Sequence, residues 1–207
     1  MSVVAWSGGC DSTAILYGLA LKAREDGSQT TVRAVSIDLY NSSLNQRVKQ
    51  REIRNELKRE FRKRGLPIYY SEIKIKASGH GFRSTFCAQA VIWLPLLIQT
   101  LAEKEDLYLG YHKGDDAIEK QAHIHHAFDN LQYVRDCSGK LYMPLIKYRK
   151  RDVIEYIKKS GIYEKTWWCE GELGKKKPCG SCAPCVTHET ALWQIKRWPK
   201  AGWELSL

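Results

Sequence analysis

Val3-Val4-Ala5-Trp6-Ser7-Gly8-Gly9-Cys10-Asp11-Ser12-Thr13-Ala14 decides how this chain folds. The apolar run Val3 to Trp6 reads as a buried strand. Ser7-Gly8-Gly9 stops it. Asp11 or Ser12 then offers an N-cap, and Thr13 to Leu21 continues as a helix rich in Ala and Leu. A strand, a glycine turn and a helix N-terminus in succession make an anion site. Glycines let the backbone approach a ligand, and the free N–H groups of the first helical turn point at it. Ser7, Ser12 and Thr13 add hydroxyls, so a phosphate or pyrophosphate suits the chemistry. No Gly-Lys-Ser or Gly-Lys-Thr follows, which excludes a Walker A loop, and the glycine spacing is not G-x-G-x-x-G.

Outward from this stretch, strands and helices alternate. Thr31 to Leu39 reads as a second strand, and Asn45 to Arg64 as a long basic helix stopped by Gly65-Leu66-Pro67. Pro67 to Lys76 is a third strand. Ala77 to Arg83 is a glycine-rich loop near the ligand. Cys87 to Lys104 is the most apolar helix, with a kink or a late start expected at Pro95. Leu107 to Gly110 is a fourth strand, Asp115 to Phe128 a helix, Leu141 to Leu145 a short strand and Arg149 to Ser160 a helix. This order predicts an α/β fold, a parallel sheet with helices on both faces, whose ligands sit at the carboxyl ends of the strands. Residues 1–160 form the expected nucleotide-binding domain, and 161–207 a small C-terminal four-Cys region packed on it.

The totals agree. A chain of 207 residues, 43% hydrophobic and 27% charged, has room for one globular domain and a small appendage. Its longest apolar run, Ala90 to Ile98, contains Pro95 and is shorter than the ~17–25 residues of a membrane span. Met1-Ser2 lacks the basic flank of a signal peptide, so a cytoplasmic protein is expected. The net charge of +10 suits a polyanionic ligand. The basic runs Arg47 to Arg64 and Lys147 to Lys159 read as solvated helix faces, which makes direct nucleic-acid binding the weaker reading. Seven cysteines without an export signal favour metal binding over disulfides.

Several further residues are candidate ligands. Asp38, near the end of the second strand, could face a ribose or an adenine edge; a strand-ending turn residue is the other reading. Lys113 could reach a phosphate. Asp115, Asp116 and Glu119 follow the fourth strand, and Asp115 and Glu119 at i,i+4 would share one side of a helix start, placed to hold Mg²⁺ against phosphates. A capped, acid-rich helix start is the alternative. His123, His125 and His126 contain no i,i+4 pair and read as a solvated helix. Cys169-x9-Cys179-Gly-Ser-Cys182-Ala-Pro-Cys185 supplies four thiolates for a closed, structural Zn²⁺ site. An iron–sulfur cluster is the rival, with free thiols or disulfides behind it. Trp193, Trp198 and Trp203 are expected to pin the tail to the sheet domain.

Ser7-Gly8-Gly9-Cys10-Asp11-Ser12-Thr13 resembles the PP-loop of ATP pyrophosphatases. Together with Asn45 to Gln50, Ser84-Thr85-Phe86, Pro144-Leu145 and the four-cysteine spacing, it resembles the 7-cyano-7-deazaguanine synthases, the QueC family, nearly end to end. The resemblance implies an ATP-dependent ligase. ATP adenylates the carboxylate of 7-carboxy-7-deazaguanine, ammonia displaces AMP to give an amide, and a second ATP carries the amide to the nitrile. It implies ATP, Mg²⁺ and Zn²⁺ as cofactors and is compatible with a homodimer. Ser7, Asp11 and Ser12 would be catalytic, and Ser7 to Thr13, Asp38, Arg47 and Lys113 would bind ATP and pyrophosphate. Two segments depart from the family. Cys87-Ala88-Gln89-Ala90 replaces its Pro-Gly-Arg-Asn, and Gly114 to Gln121 looks more like the Gly-His-x-x-Asp-Asp-x-x-Glu loop of tRNA lysidine synthases and thiolases. Both lie where substrate would be held. A PP-loop enzyme modifying tRNA, a relative that stops at the amide or joins a deazaguanine to another acceptor such as a protein, and a non-catalytic nucleotide binder are the competing readings.

Overall fold

The computed structural model describes residues 1–27, 31–39, 44–75, 89–169 and 177–198. Five parallel strands form one sheet: β1 (Ser2–Ala5), β2 (Val32–Leu39), β3 (Ile68–Ile75), β4 (Asp106–Tyr108) and β5 (Leu141–Tyr142). Their order is β3-β2-β1-β4-β5. β1 pairs with β2 on one side, Val4 opposite Ala34, and with β4 on the other, Val4 opposite Tyr108. The strand order therefore reverses at β1. The crevice above β1 and β4 is the switch point where ligands of such sheets bind.

Among the described residues six α-helices cover the sheet: α1 (Cys10–Glu25), α2 (Leu44–Lys63), α3 (Gln89–Thr100), α4 (Gln121–Val134), α5 (Lys150–Lys159) and α6 (Ala183–Arg197). The pleat sends successive side chains to opposite faces, and two cores result. Val4, Val32 and Ala34 join Ile15 and Leu16 of α1, Leu57 and Phe61 of α2, Ile154 of α5 and Ala191 of α6. Val3, Val35 and Leu107 join Leu97 of α3 and Ile124 and Phe128 of α4. The expected α/β architecture with helices on both faces is present. The central strand β1 buries Val3 and Val4 on opposite faces, while the edge strand β3 leaves Tyr69, Glu72 and Lys74 exposed.

Local differences from the sequence reading have physical causes. The N-cap of α1 is Gly9 rather than Asp11 or Ser12, and the helix begins at Cys10 and runs on to Glu25. Pro95 lies inside α3, which is helical on both sides of it but stops at Thr100 rather than Lys104. The helix expected from Asp115 starts only at Gln121, because a 3-10 turn, Asp116–Ile118, intervenes. The last strand is cut to two residues by a 3-10 turn that opens at Pro144. Trp193 and Trp198 of the tail do not pack into the core. Each is 53% exposed, and they meet edge to face with the Arg197 guanidinium 5.5 Å from either ring. Trp203 and the loop 77–83 lie outside the described residues.

The amino ends of the strands are clasped together. Arg33, at the start of β2, pairs with Glu105 before β4 and donates to the Thr100 carbonyl at 2.7 Å. Glu105 also accepts from the Ala102 amide at 2.8 Å. Asp106 accepts from the Lys140 amide at 2.8 Å, and Arg135 donates to the carbonyls of Ile98 and Leu101. Gly139 has no room for a side chain, because a Cβ there would overlap the Glu105 carbonyl.

Candidate functional site

The turn after β1 is held by its own hydroxyls. The Ser7 amide donates to Ser12 Oγ at 3.2 Å, the two hydroxyls lie 3.1 Å apart, and the Gly9 amide donates to Ser7 Oγ at 3.2 Å. Gly8 takes φ +88°, a conformation open to glycine, and a Cβ on it would also meet Arg54 Cγ at 3.2 Å. Thr13 faces the core, where its hydroxyl accepts from the Trp6 indole at 3.1 Å. Cys10 is buried, with its sulfur 3.0 Å from Thr166 Oγ1, and burial pushes its thiol up to about 11. Of the seven residues read as a phosphate cradle, Ser7 is thus exposed, Ser12 braces it from behind, and Cys10 and Thr13 anchor the turn to the body.

The second loop lies against the first. After β4, Gly110 approaches the start of α1 so closely that a Cβ there would stand 2.9 Å from the Ser12 nitrogen and 3.1 Å from the Asp11 carbonyl carbon. Beyond it, the Lys113 amide donates to the Tyr148 carbonyl at 2.7 Å, and Lys113 bridges to Arg149 as in a parallel ladder. This delivers the N-terminus of α5 to the site, where Lys150 points its ammonium at Asp11, 2.5 Å from Oδ2. Burial works against the charge on Lys150. Asp11 and Cys10, the Asp11 hydrogen bond and Asp115 more than offset it, so the lysine is held above its ordinary range. The other Asp11 oxygen, Oδ1, is buried without a hydrogen-bond partner, as a ligand or cation position would require.

Lys150 is the residue that sequence reasoning missed. It sits in the run Lys147 to Lys159, read as a solvated face, yet its side chain is only 13% exposed. Arg54 was hidden in the same way within Arg47 to Arg64; it is buried beside Gly8 and pairs with Glu72 at 3.2 Å. Among the other predicted residues, Lys113 and Glu119 are exposed, and Asp115 acts electrostatically on Lys150. Asp115 and Glu119 cap the two ends of the 3-10 turn and do not share an α-helical face. Asp38 is the penultimate residue of β2, near the carboxyl edge, and Arg47 lies in the first turn of α2, but their side chains, with that of Asp116, lie outside the described residues. His123, His125 and His126 fall on α4, where the Asn130 side-chain NH2 donates to His126 Nε2 at 3.2 Å.

The four cysteines come together as expected. Their sulfurs all lie within 4.8 Å of one another. Cys179 and Cys185 stand 3.9 Å apart, and Cys182 and Cys169 4.0 Å. The Cys179 amide donates to Cys169 Sγ and the Cys182 amide to Cys179 Sγ, both at 3.3 Å. Amides of Ser181 and Cys182 bring the Cys179 thiol down to about 5, while burial pushes Cys185 up to about 12. The set can hold one metal ion. Behind it, His188 of α6 is buried, stacked on Trp168 with centroids 3.6 Å apart, and its Nε2 lies 2.8 Å from the Tyr163 hydroxyl.

Residues 98–196 match the family model described as queuosine biosynthesis protein QueC. The matched segment holds Lys150 and all four cysteines; Ser7 to Thr13 precede it. A 7-cyano-7-deazaguanine synthase of Prochlorococcus marinus is 38% identical over 79 residues, a match covering 34% of this chain and 34% of that protein. The chain thus matches about a third of its curated relative's length. Among solved structures, the U34-tRNA thiolase NcsA from Methanococcus maripaludis with its [4Fe-4S] cluster shares the fold, with a TM-score of 0.52 at 13% identity. That likeness covers 96% of this chain and 67% of the thiolase.

Proposed function

We propose, for a chain whose residues 98–196 match the QueC family model, an ATP-dependent ligase that converts 7-carboxy-7-deazaguanine to the amide and then the nitrile, releasing AMP and pyrophosphate. The carrying observation is the Lys150–Asp11 pair, set between Ser7-Gly8-Gly9 and the β4 loop at the point where the strand order reverses. In this reading the substrate carboxylate attacks the α-phosphorus of ATP and pyrophosphate leaves. Ammonia then adds to the acyl carbon and AMP leaves. The amide oxygen then attacks the α-phosphorus of a second ATP and its pyrophosphate leaves, and elimination of that AMP, with two protons lost from the nitrogen over both steps, gives the nitrile. No protein nucleophile is needed, so the chain's work is positioning and neutralising phosphate charge. Ser7 and the amides after Gly8 receive the departing diphosphate, and Lys150 supplies a fixed positive charge beside it. Asp11 Oδ1 and Asp115 are the oxygens suited to Mg²⁺, which would shield the phosphate charges when bound.

The thiolates suit zinc. A single ion with Zn–S bonds of about 2.3 Å holds its sulfurs about 3.8 Å apart, close to the separations of 3.9 and 4.0 Å here. A four-iron cluster binds its thiolates on four separate irons and spreads them farther. No helix of the described residues is long and apolar enough to cross a membrane, and a site built on reduced cysteine thiolates suits a reducing compartment such as the cytoplasm.

The test is direct. Protein incubated with ATP, ammonium and 7-carboxy-7-deazaguanine yields AMP, pyrophosphate and the nitrile by mass spectrometry. Amide alone would shorten the reaction, and no substrate-dependent AMP would reject it. A second reading, a tRNA-modifying enzyme, is favoured by the loop 114–121 and the acidic Asp115 beside Lys150. Stimulation of AMP release by tRNA in place of the deazaguanine is its signature.

A further inference from the structure

One short segment, Thr166-Trp167-Trp168-Cys169, touches both the phosphate turn and the thiolate cluster. At one end the Trp167 amide donates to the Gly8 carbonyl at 3.2 Å, and the Trp167 carbonyl lies 3.3 Å from where a Gly9 Cβ would be. Thr166 Oγ1 lies 3.0 Å from Cys10 Sγ and donates to the Tyr163 carbonyl at 2.8 Å. At the other end the Trp167 indole donates to the Cys169 carbonyl at 2.9 Å, and Cys169 Sγ takes its place among the four sulfurs. The other three thiolates belong to the entry of α6.

We propose that this strap makes nucleotide binding at Ser7 to Thr13 depend on the thiolate site being filled, with Thr166 and Trp167 as the positioning residues. The proposal rests on the nucleotide reading of that turn. The chain of cause is short. Gly8 holds a left-handed backbone, and its carbonyl is fixed by the Trp167 amide. Turning that peptide the other way would misdirect the amides meant for phosphate. Trp167 is held to Cys169 by its indole; a bound ion would tie Cys169 to the cysteines at the entry of α6, and the neighbouring Trp168 stacks on His188 of the same helix. Without an ion, four sulfurs within 4.8 Å of one another have no shared positive charge to hold them together. The strap then keeps the stack and its hydrogen bonds but loses its covalently coordinated end. Coupling of this kind is reciprocal, so nucleotide must raise metal affinity by the same factor that metal raises nucleotide affinity.

The experiment measures binding, not turnover. The dissociation constant of α,β-methylene-ATP with Mg²⁺ is determined by calorimetry for zinc-loaded and chelator-stripped protein, with far-UV circular dichroism as a check on folding. At least a tenfold weakening on stripping is expected, shrinking to less than about threefold in Thr166→Val and Trp167→Phe, which loosen the strap. A second arm avoids the stripped protein: zinc is competed from the loaded chain by a chromogenic chelator with and without the analogue, and a matching tenfold gain in zinc affinity is expected. Equal nucleotide affinity in folded protein with and without zinc overturns the coupling. If stripping unfolds the chain, zinc affinity indifferent to the analogue overturns it. An analogue that binds neither form removes the nucleotide reading itself, a different result from binding that ignores the metal.

Discussion

The ammonium of Lys150 lies 2.5 Å from the carboxylate of Asp11, joining residues 139 positions apart at the mouth of the glycine turn. The pair ties the first helix of the fold to the fifth. Under the proposed function it also sets a fixed charge beside the departing diphosphate.

Replacing Lys150 by Met is expected to lower the rate of substrate-dependent pyrophosphate release roughly 10²–10³-fold, the usual loss when one preorganised charge stabiliser is removed. Because Asp11 then keeps a partly buried charge without its partner, the variant also melts lower than Lys150→Arg. The pH dependence has a definite sign. The folded value of Lys150 is raised above 10.5, so its contribution to stability is whole below that pH and is lost only as pH rises through the folded value. A rate profile that falls between pH 7 and 9 in wild type but is flat in Lys150→Arg would contradict this.

Gly110→Ala forces a methyl against the backbone of Ser12 and Asp11, which belongs to the first turn of α1 and cannot swing aside. A cost of about 2 kcal/mol is expected, a fall of roughly 4–8 °C in melting temperature for a domain of this size. ATP affinity should fall with it, since the two loops share that contact. Gly139→Ala is the control: it clashes at the far end of the sheet with Glu105 and should destabilise without altering nucleotide affinity in the protein that remains folded.

His188 carries an acid sensitivity. Burial, aided by Lys150, holds it down to about 4 from an ordinary 6.5. Its folded state resists the proton that the unfolded state accepts, so stability is whole above pH 6.5 and is lost as pH falls toward 4. His188→Phe keeps the stack on Trp168 and removes the titration. Thermal melts from pH 7 to 4.5 should show a smaller decline in this variant than in wild type. Parallel curves would reject the assignment.

One equivalent of zinc per chain is expected by elemental analysis, with no absorption near 400 nm; a brown protein with iron would replace zinc by a cluster. Binding should release protons at pH 7, because Cys185, pushed up to about 12, must give up its hydrogen to become a ligand. Cys182→Ser is expected to lower the melting temperature by more than about 10 °C, as α6 loses its tie at the chain's third thiolate.

Much of this was readable from residues close together in sequence. The run Val3 to Trp6 and the glycines after it announce a strand and a turn because the spacing is local, and four cysteines within seventeen positions announce a metal site for the same reason. Lys150 and Arg54 were not readable, because each lies in a stretch crowded with other basic residues and only the packing shows which one turns inward. The strap was invisible too: nothing in Thr166-Trp167-Trp168 says that its backbone will meet Gly8 across most of the chain's length. Trp193 and Trp198 misled, since tryptophan content suggests burial and these two are half exposed around Arg197.

The clasp of Arg33, Glu105, Asp106 and Arg135 gathers the sheet at the edge away from its chemistry. With the amino ends of the strands held together, a rearrangement of the carboxyl-end loops around a ligand can leave that framework intact.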